Sequence, residues 1–319
     1  MRDVLIAAAM VFAIVAGAND GCSMLAGSWQ VAAPRPITAW LILVSAVALI
    51  PNLLGTHVAF TLAHGLVPFA GPGVQRAVLI AVSVAMLVVF GLTRVGVSTS
   101  LTLALIGAIT GAGFGAGVRV DLLRVAVVLG LGLVAPVVAA SLAYLLSRTA
   151  LPALHAQKAR RWLRHIHVAT FGVQCVAYAT NGAQKVLALM ILANGGIVRR
   201  GAALSRLDVL LAAAPFGLGT LLGIRRVSST LGRAVFAVRL RHAVVAEIVS
   251  TVLSLSAGLV GIPLTMSQSV TGALVGAGAS EGARRVRWTV AGRFLGAWAL
   301  TMPTSMGLAA ALSAIAGRS

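Results

Sequence analysis

Eight apolar segments, at 4 to 28, 37 to 68, 77 to 93, 122 to 147, 166 to 195, 207 to 223, 242 to 260 and 289 to 316, constrain this chain more than any other feature. A helix needs about 20 apolar residues to cross the roughly 30 Å hydrocarbon layer of a bilayer. With 10% charged residues, against roughly 25% in an ordinary soluble domain, the chain lacks the polar surface to cover a water-soluble core. The expected fold class is an all-α polytopic membrane protein.

The charge pattern agrees. The chain has 25 Lys and Arg against 6 Asp and Glu, a net charge of +19. These basic residues sit in short clusters between apolar runs, which reads as membrane topology; a nucleic-acid footprint would gather them on one solvated face. No nucleic-acid partner is expected. Only Lys158 and Lys185 are lysines, and Ala, Val and Gly abound, as in the products of a GC-rich bacterial genome. The expected location is the bacterial inner (cell) membrane, with multiple passes.

Residues 1 to 18 imitate a signal peptide, with Arg2, an apolar run and Ala16-Gly17-Ala18. Retention as an uncleaved first span is the favoured reading, because cleavage there separates the helix from the polar residues after it. Cys22 and Cys175 lie in apolar segments, which excludes a disulfide framework.

Two segments are too long for one straight span and are interrupted near the middle, 37 to 68 by Pro51-Asn52 and Gly55, and 166 to 195 by Thr180-Asn181-Gly182. Broken helices are expected there. Two further stretches, 96 to 115 and 261 to 279, are rich in glycine and hydroxyls. They read as re-entrant hairpins lining a pathway; the alternative is a small-residue packing face.

These stretches recur. Gly107-Ala108-Ile109-Thr110-Gly111-Ala112-Gly113 returns as Gly272-Ala273-Leu274-Val275-Gly276-Ala277-Gly278, an offset of 165 that also pairs Ser100-Leu101-Thr102 with Thr265-Met266-Ser267. Upstream, at an offset of 162, Gly17-Ala18-Asn19-Asp20-Gly21 faces Ala179-Thr180-Asn181-Gly182-Ala183. The expected organisation is a first transmembrane repeat over 1–148, a basic connecting loop over 149–165 and a second repeat over 166–319. Counting spans gives four and one hairpin per half, a parallel pair. An inverted pair needs an odd number, as when 37 to 68 forms two segments. The joint, with Arg148, Lys158, Arg160, Arg161 and Arg164, is placed in the cytoplasm by the positive-inside rule. Arg199, Arg200, Arg206, Arg284, Arg285 and Arg287 weaken that bias.

Charge inside a membrane marks function by default, and two acids qualify: Asp20 beside Asn19, and Glu247 inside the 242 to 260 segment. Backbone breaks flanked by glycine, with Asn and Ser or Thr nearby, suit an anion at midplane, because half-helix N-termini present unpaired N–H groups and a positive dipole end. A carboxylate there repels an anion, so Asp20 is better explained as serving a coupling cation such as Na⁺ or as a proton carrier. His57 and His64 are a weaker relay candidate. Trp40, Trp162 and Trp288 read as interfacial anchors. No metal-ligand spacing, nucleophile elbow or nucleotide loop occurs, so an enzyme is not expected.

The tetrad Gly17-Ala18-Asn19-Asp20, the stretch Tyr178-Ala179-Thr180-Asn181-Gly182-Ala183-Gln184-Lys185 and the hairpin Gly261-Ile262-Pro263-Leu264-Thr265-Met266-Ser267-Gln268 resemble signatures of the inorganic phosphate transporter (PiT) family. In that family each half has a GAND-type element, the second usually HGANDAQK, and a PVSTTH hairpin. Residues 287 to 303 resemble its closing helix. The resemblance spans essentially the whole chain. It implies two inverted repeats, each with a broken helix and a re-entrant helical hairpin, and symport of inorganic phosphate, or of sulfate in some relatives, driven by Na⁺ or H⁺.

By motif position, Asn19, Ser100, Thr102, Asn181, Gln184, Thr265 and Ser267 are expected at the substrate, with Asp20 and Glu247 serving the coupling ion. No cofactor is expected beyond that ion, and no structural metal. The partners are the oxyanion, the coupling ion and the lipid bilayer, with a homodimer left open. The alternative functions are a permease for sulfate or another tetrahedral oxyanion, and a transport-inactive membrane subunit or receptor.

The sequence also departs from the family pattern. The family Asp is Gly182, the His opening that motif is Tyr178, the middle hairpin Thr is Leu101 and Met266, and the hairpin His is Leu103 and Gln268. Losing one of two acids puts the usual Na⁺ stoichiometry in doubt. Ser98-Thr99-Ser100 also looks like the family triplet, although the internal repeat places it two residues early.

Overall fold

The computed structural model describes residues 1–25, 34–67, 74–94, 99–150, 159–194, 205–234 and 239–317. Ser98, Lys158, Arg199, Arg200, most of the connecting loop and the Gly71-Pro72-Gly73 loop lie outside them. Every regular element among the described residues is helical, and eight helices are long and apolar enough to cross a membrane.

The first half runs α1 (Arg2–Ala16), α2 (Pro36–Leu54), the short α3 (His57–Phe60), α4 (Val74–Arg94), α5 (Leu101–Gly115) and α6 (Leu122–Ala150). The second half runs α7 (Ala159–Thr180), α8 (Gln184–Ala193), α9 (Arg206–Ala234), α10 (Leu240–Val260), α11 (Met266–Ser280) and α12 (Trp288–Ala316). Segment 37 to 68 does divide: α2 stops at Gly55, whose φ of 90° ends the helix, and the chain resumes as α3 and a π-turn over Thr61–Gly65. Segment 166 to 195 breaks between α7 and α8 at 181–183.

The first GAND element is not the broken helix of its half. The helix does not break there; it widens into a single π-turn, Gly17–Gly21, and the span continues to Leu25. A π-turn adds one residue per turn and turns side chains out of the regular ladder, and such turns favour functional positions. Asp20 therefore projects sideways from a continuous helix instead of sitting at a helix end.

Burial separates core from periphery. The most apolar 18-residue stretch within 162–193 is 94% buried, whereas that within 288–316 is 22% buried, its Leu and Ile side chains facing outward. Trp162 and Trp288 are exposed, Trp288 Nε1 donating to the Ala283 carbonyl at 2.9 Å, and Trp40, half-buried, donates its indole Nε1 to the Gly217 carbonyl at 3.0 Å.

The two halves pack by exchange. Helix α5 lies along α12 and α11 along α6; α1 lies along α9 and α7 along α2. The glycine stretches make the first pair of contacts. A Cβ at Gly111 would stand 2.0 Å from the Met306 carbonyl oxygen, and one at Gly276 1.9 Å from that of Ala140. Both stretches are therefore small-residue packing faces as well as parts of short buried elements. The second begins where Gly261, at φ 85°, ends α10 and turns the chain into the extended residues before α11.

Candidate oxyanion site at the tips of α5 and α11

Helices α5 and α11 meet at their N-terminal ends. Ser100 Oγ and Thr265 Oγ1, the N-cap residues of the two helices, are 2.8 Å apart and both buried. Ser100 Oγ also accepts from Leu103 N at 3.2 Å. Each helix thus aims its first-turn N–H groups and positive dipole end at one small region. Beyond Thr265, Ser267 Oγ, Ser269 Oγ and both polar atoms of Gln268 are buried with no hydrogen-bond partner among the described residues. Unsatisfied buried polar atoms are rare enough to need a cause, and a ligand with many acceptor oxygens supplies one.

A buried ion pair adjoins this region. Lys185 Nζ, in the first turn of α8, is 2.7 Å from Asp20 Oδ2 and donates to Thr102 Oγ1 at 2.9 Å. Asn19 Nδ2 donates to Asp20 Oδ1 at 2.9 Å. Lys185 and Asp20 are both 1% exposed, so each charge is tolerable only because of the other. The cluster ties the π-turn of α1, the first turn of α5 and the break between α7 and α8 together.

Asn181 and Gln184 have other partners. Asn181 Nδ2 donates to the Ser254 and Ile262 carbonyls and its Oδ1 accepts from Leu264 N, which braces the approach to α11. Gln184 Oε1 accepts from Val58 N and Ala59 N, and its Nε2 donates to the Gly55 carbonyl. Its amide therefore holds the start of α3. Both residues shape the site's walls through backbone bonds.

Glu247 does not join Asp20. Its carboxylate is 2.9 Å from His167 Nδ1 and accepts from Thr170 Oγ1 at 2.5 Å, between α7 and α10. The two intramembrane acids occupy separate sites with separate partners.

The motif departures at 178, near the end of α7, and at 182, in the break after it, touch each other. A Cβ on Gly182 would lie 2.3 Å from Tyr178 Cε2. The Tyr178 ring, fully buried and 5.5 Å from the Phe216 ring, fills the space that a side chain at 182 would need. A side chain at 182 and the Tyr178 ring therefore compete for the same space.

Among known sequences, the model of the "Phosphate transporter family" matches residues 147–309. The chain belongs to the phosphate transporter family. A "Probable low-affinity inorganic phosphate transporter" of Mycobacterium bovis is 29% identical over 314 residues, covering 94% of this chain and 74% of the relative. A protein of the same description from Bacillus subtilis is 25% identical over 320 residues, covering 96% and 94%. A solved structure described as "The sodium-dependent phosphate transporter" shares the fold, with a TM-score of 0.81 over 99% of this chain and 98% of that one at 18% identity. These transporter-family relatives agree with the absence of any catalytic constellation in the sequence.

Three residues important to this geometry escaped the motif reading in their roles: Lys185, His167 and Tyr178. Lys185 was legible. It is one of two lysines in the chain and lies in an apolar run, so the rule that selects Asp20 selects it equally.

Proposed function

We propose that the protein is a symporter of inorganic phosphate in the bacterial inner membrane, with the anion held between the tips of α5 and α11. The observation that carries this is the Ser100–Thr265 contact: two helix N-termini converging beside a buried ammonium and several unsatisfied hydroxyls suit an oxyanion. Ser100, Thr102, Thr265 and Ser267 supply hydroxyls, and Asn19, Asn181 and Gln184 set the walls.

Asp20 is neutralised in place by Lys185. Phosphate therefore meets a neutral pair instead of a bare carboxylate, and the ammonium can turn from Asp20 to the anion as Asp20 takes up a proton. Coupling to H⁺ is the reading this favours. Coupling to Na⁺ is a second reading, supported by the structural neighbour described as sodium-dependent. Residues 1–148 and 166–319, joined by 149–165, are read as inverted repeats, which accords with the exchange packing and with the division of 37 to 68 at Gly55.

The test is uptake of labelled phosphate into proteoliposomes under a pH gradient or a Na⁺ gradient, with unlabelled sulfate as competitor. Accumulation on the pH gradient that sulfate does not displace supports the reading. Displacement by sulfate moves the substrate to that oxyanion, and absence of uptake or exchange points to a transport-inactive subunit.

A further inference from the structure

We infer that the polar seam between α7 and α10, headed by the buried His167–Glu247 pair, is the route by which the coupling proton reaches the hairpin region. This rests on the proton-coupled reading above and gives it a path.

The seam is continuous. On α7, His167, Thr170 and Gln174 recur at helical spacing on one face, with Asn181 just past the helix end; on α10, Glu247, Ser250, Thr251 and Ser254 do the same. His167 Nδ1 and Thr170 Oγ1 bond Glu247, Gln174 Nε2 donates to Ser250 Oγ at 2.9 Å, and Asn181 Nδ2 donates to the Ser254 carbonyl. From Asn181 the contacts pass directly to Ile262 and Leu264, the residues leading into Thr265. His167 Nε2, Thr251 Oγ1 and Ser254 Oγ are buried without a partner among the described residues, so the seam holds hydrogen-bonding capacity that its own side chains do not use.

The other half lacks such a seam. The positions matching His167 and Gln174 at the 162-residue offset are Leu5 and Phe12, and those matching Glu247 and Ser250 at the 165-residue offset are Val82 and Ala85. All four are apolar and buried in one core cluster. Burying a His–Glu pair and five polar neighbours where the fold accepts Leu, Phe, Val and Ala costs stability, so packing does not account for them.

Other titratable groups are few. Cys175 of α7 lies within reach of the Glu247 charge. At the start of α10, about one to two turns before Glu247, Arg239, Arg241 and His242 gather on Glu281. From α6, which also packs on α10, the groups are Arg124, Tyr144 and Arg148, and from α3, packed on α10 as well, His57; α7 itself also carries Arg164, His165 and Tyr178, and α2, packed on α7, carries none. The seam thus starts close to the charged face at Glu281. One proton arriving at His167 converts a carboxylate–imidazole pair of net charge −1 to a carboxylate–imidazolium pair of net charge zero. Passing that proton along the seam restores the first state.

The experiment uses the full chain in proteoliposomes carrying an internal pH dye, with two assays on each variant. Exchange of labelled for unlabelled phosphate at equal pH moves only the loaded carrier and needs no net proton flux; accumulation on a pH gradient needs both. His167→Gln and Gln174→Leu are expected to keep exchange within about 2-fold of the parent and to lose accumulation and phosphate-dependent proton entry by 10-fold or more, a split that a purely structural role does not produce. Parent-like accumulation in both variants overturns the seam. Parent protein that exchanges phosphate without moving protons overturns the seam and leaves phosphate transport standing. Parent protein that does neither overturns the transport reading itself.

Discussion

Ser100 and Thr265 are equivalent residues of two sequence repeats, and their hydroxyls touch. Their separation of 165 residues is the offset at which the glycine stretches superimpose. Helices α5 and α11 meet at this pair and, among the described residues, do not run side by side. Ser100→Ala and Thr265→Val each remove a hydroxyl from the same point. If both bind the charged anion, each loses about 1.5–3 kcal/mol, a rise in phosphate KM of about 10-fold or more. The double variant should cost less than the sum, which a double-mutant cycle on uptake kinetics measures.

The Asp20–Lys185 pair predicts an asymmetry between stability and transport. Asp20→Asn leaves a buried ammonium and Lys185→Met a buried carboxylate, and either should cost about 3–5 kcal/mol. The double variant removes both charges and should recover most of the lost melting temperature while remaining inactive. Thermal unfolding in detergent, set beside phosphate uptake, checks both halves of the statement.

Restoring the family acid at position 182 should fail unless Tyr178 is also changed. In Gly182→Asp the new Cβ overlaps the Tyr178 ring, and overpacking alone costs about 1–3 kcal/mol. Tyr178→Ala with Gly182→Asp relieves the overlap and should fold better than Gly182→Asp alone. Melting curves of the two single variants and the double give the coupling.

Glu281, at the charged face, gives a pH dependence with a definite sign. Burial pushes its carboxyl up, but hydrogen bonds and charges from His242 and Arg241 outweigh it and hold the group below its ordinary 4.5. A carboxyl lowered in the folded state stabilises above its unfolded value and loses that contribution as pH falls through the folded one. Glu281→Gln should therefore lower the melting temperature at pH 7, with the difference from the parent shrinking below about pH 4.5.

Much of this fold was legible as hydropathy. The apolar runs place the long helices, and Gly55 and 181–183 mark the interruptions. The π-turn at Gly17–Gly21 was not legible, because its φ and ψ stay helical at both ends and only the hydrogen-bond spacing changes. The repeat offset pairs Ser100 with Thr265, whose hydroxyls touch, whereas motif position alone grouped Glu247 with Asp20. Only the packing of α7 on α10 reveals its bond to His167, 80 residues away. Asn181 and Gln184 were found as polar residues at a break. That their amides are directed at backbone groups 73 to 129 residues distant depends on tertiary contacts that no local pattern encodes.

The most direct measurement is accumulation of labelled phosphate in proteoliposomes under an inward pH gradient, comparing the parent with Ser100→Ala and Thr265→Val together. The parent should concentrate phosphate, and the double variant should need at least 10-fold more substrate for the same rate. Uptake by the double variant at the parent's KM would contradict an anion site at the tips of α5 and α11.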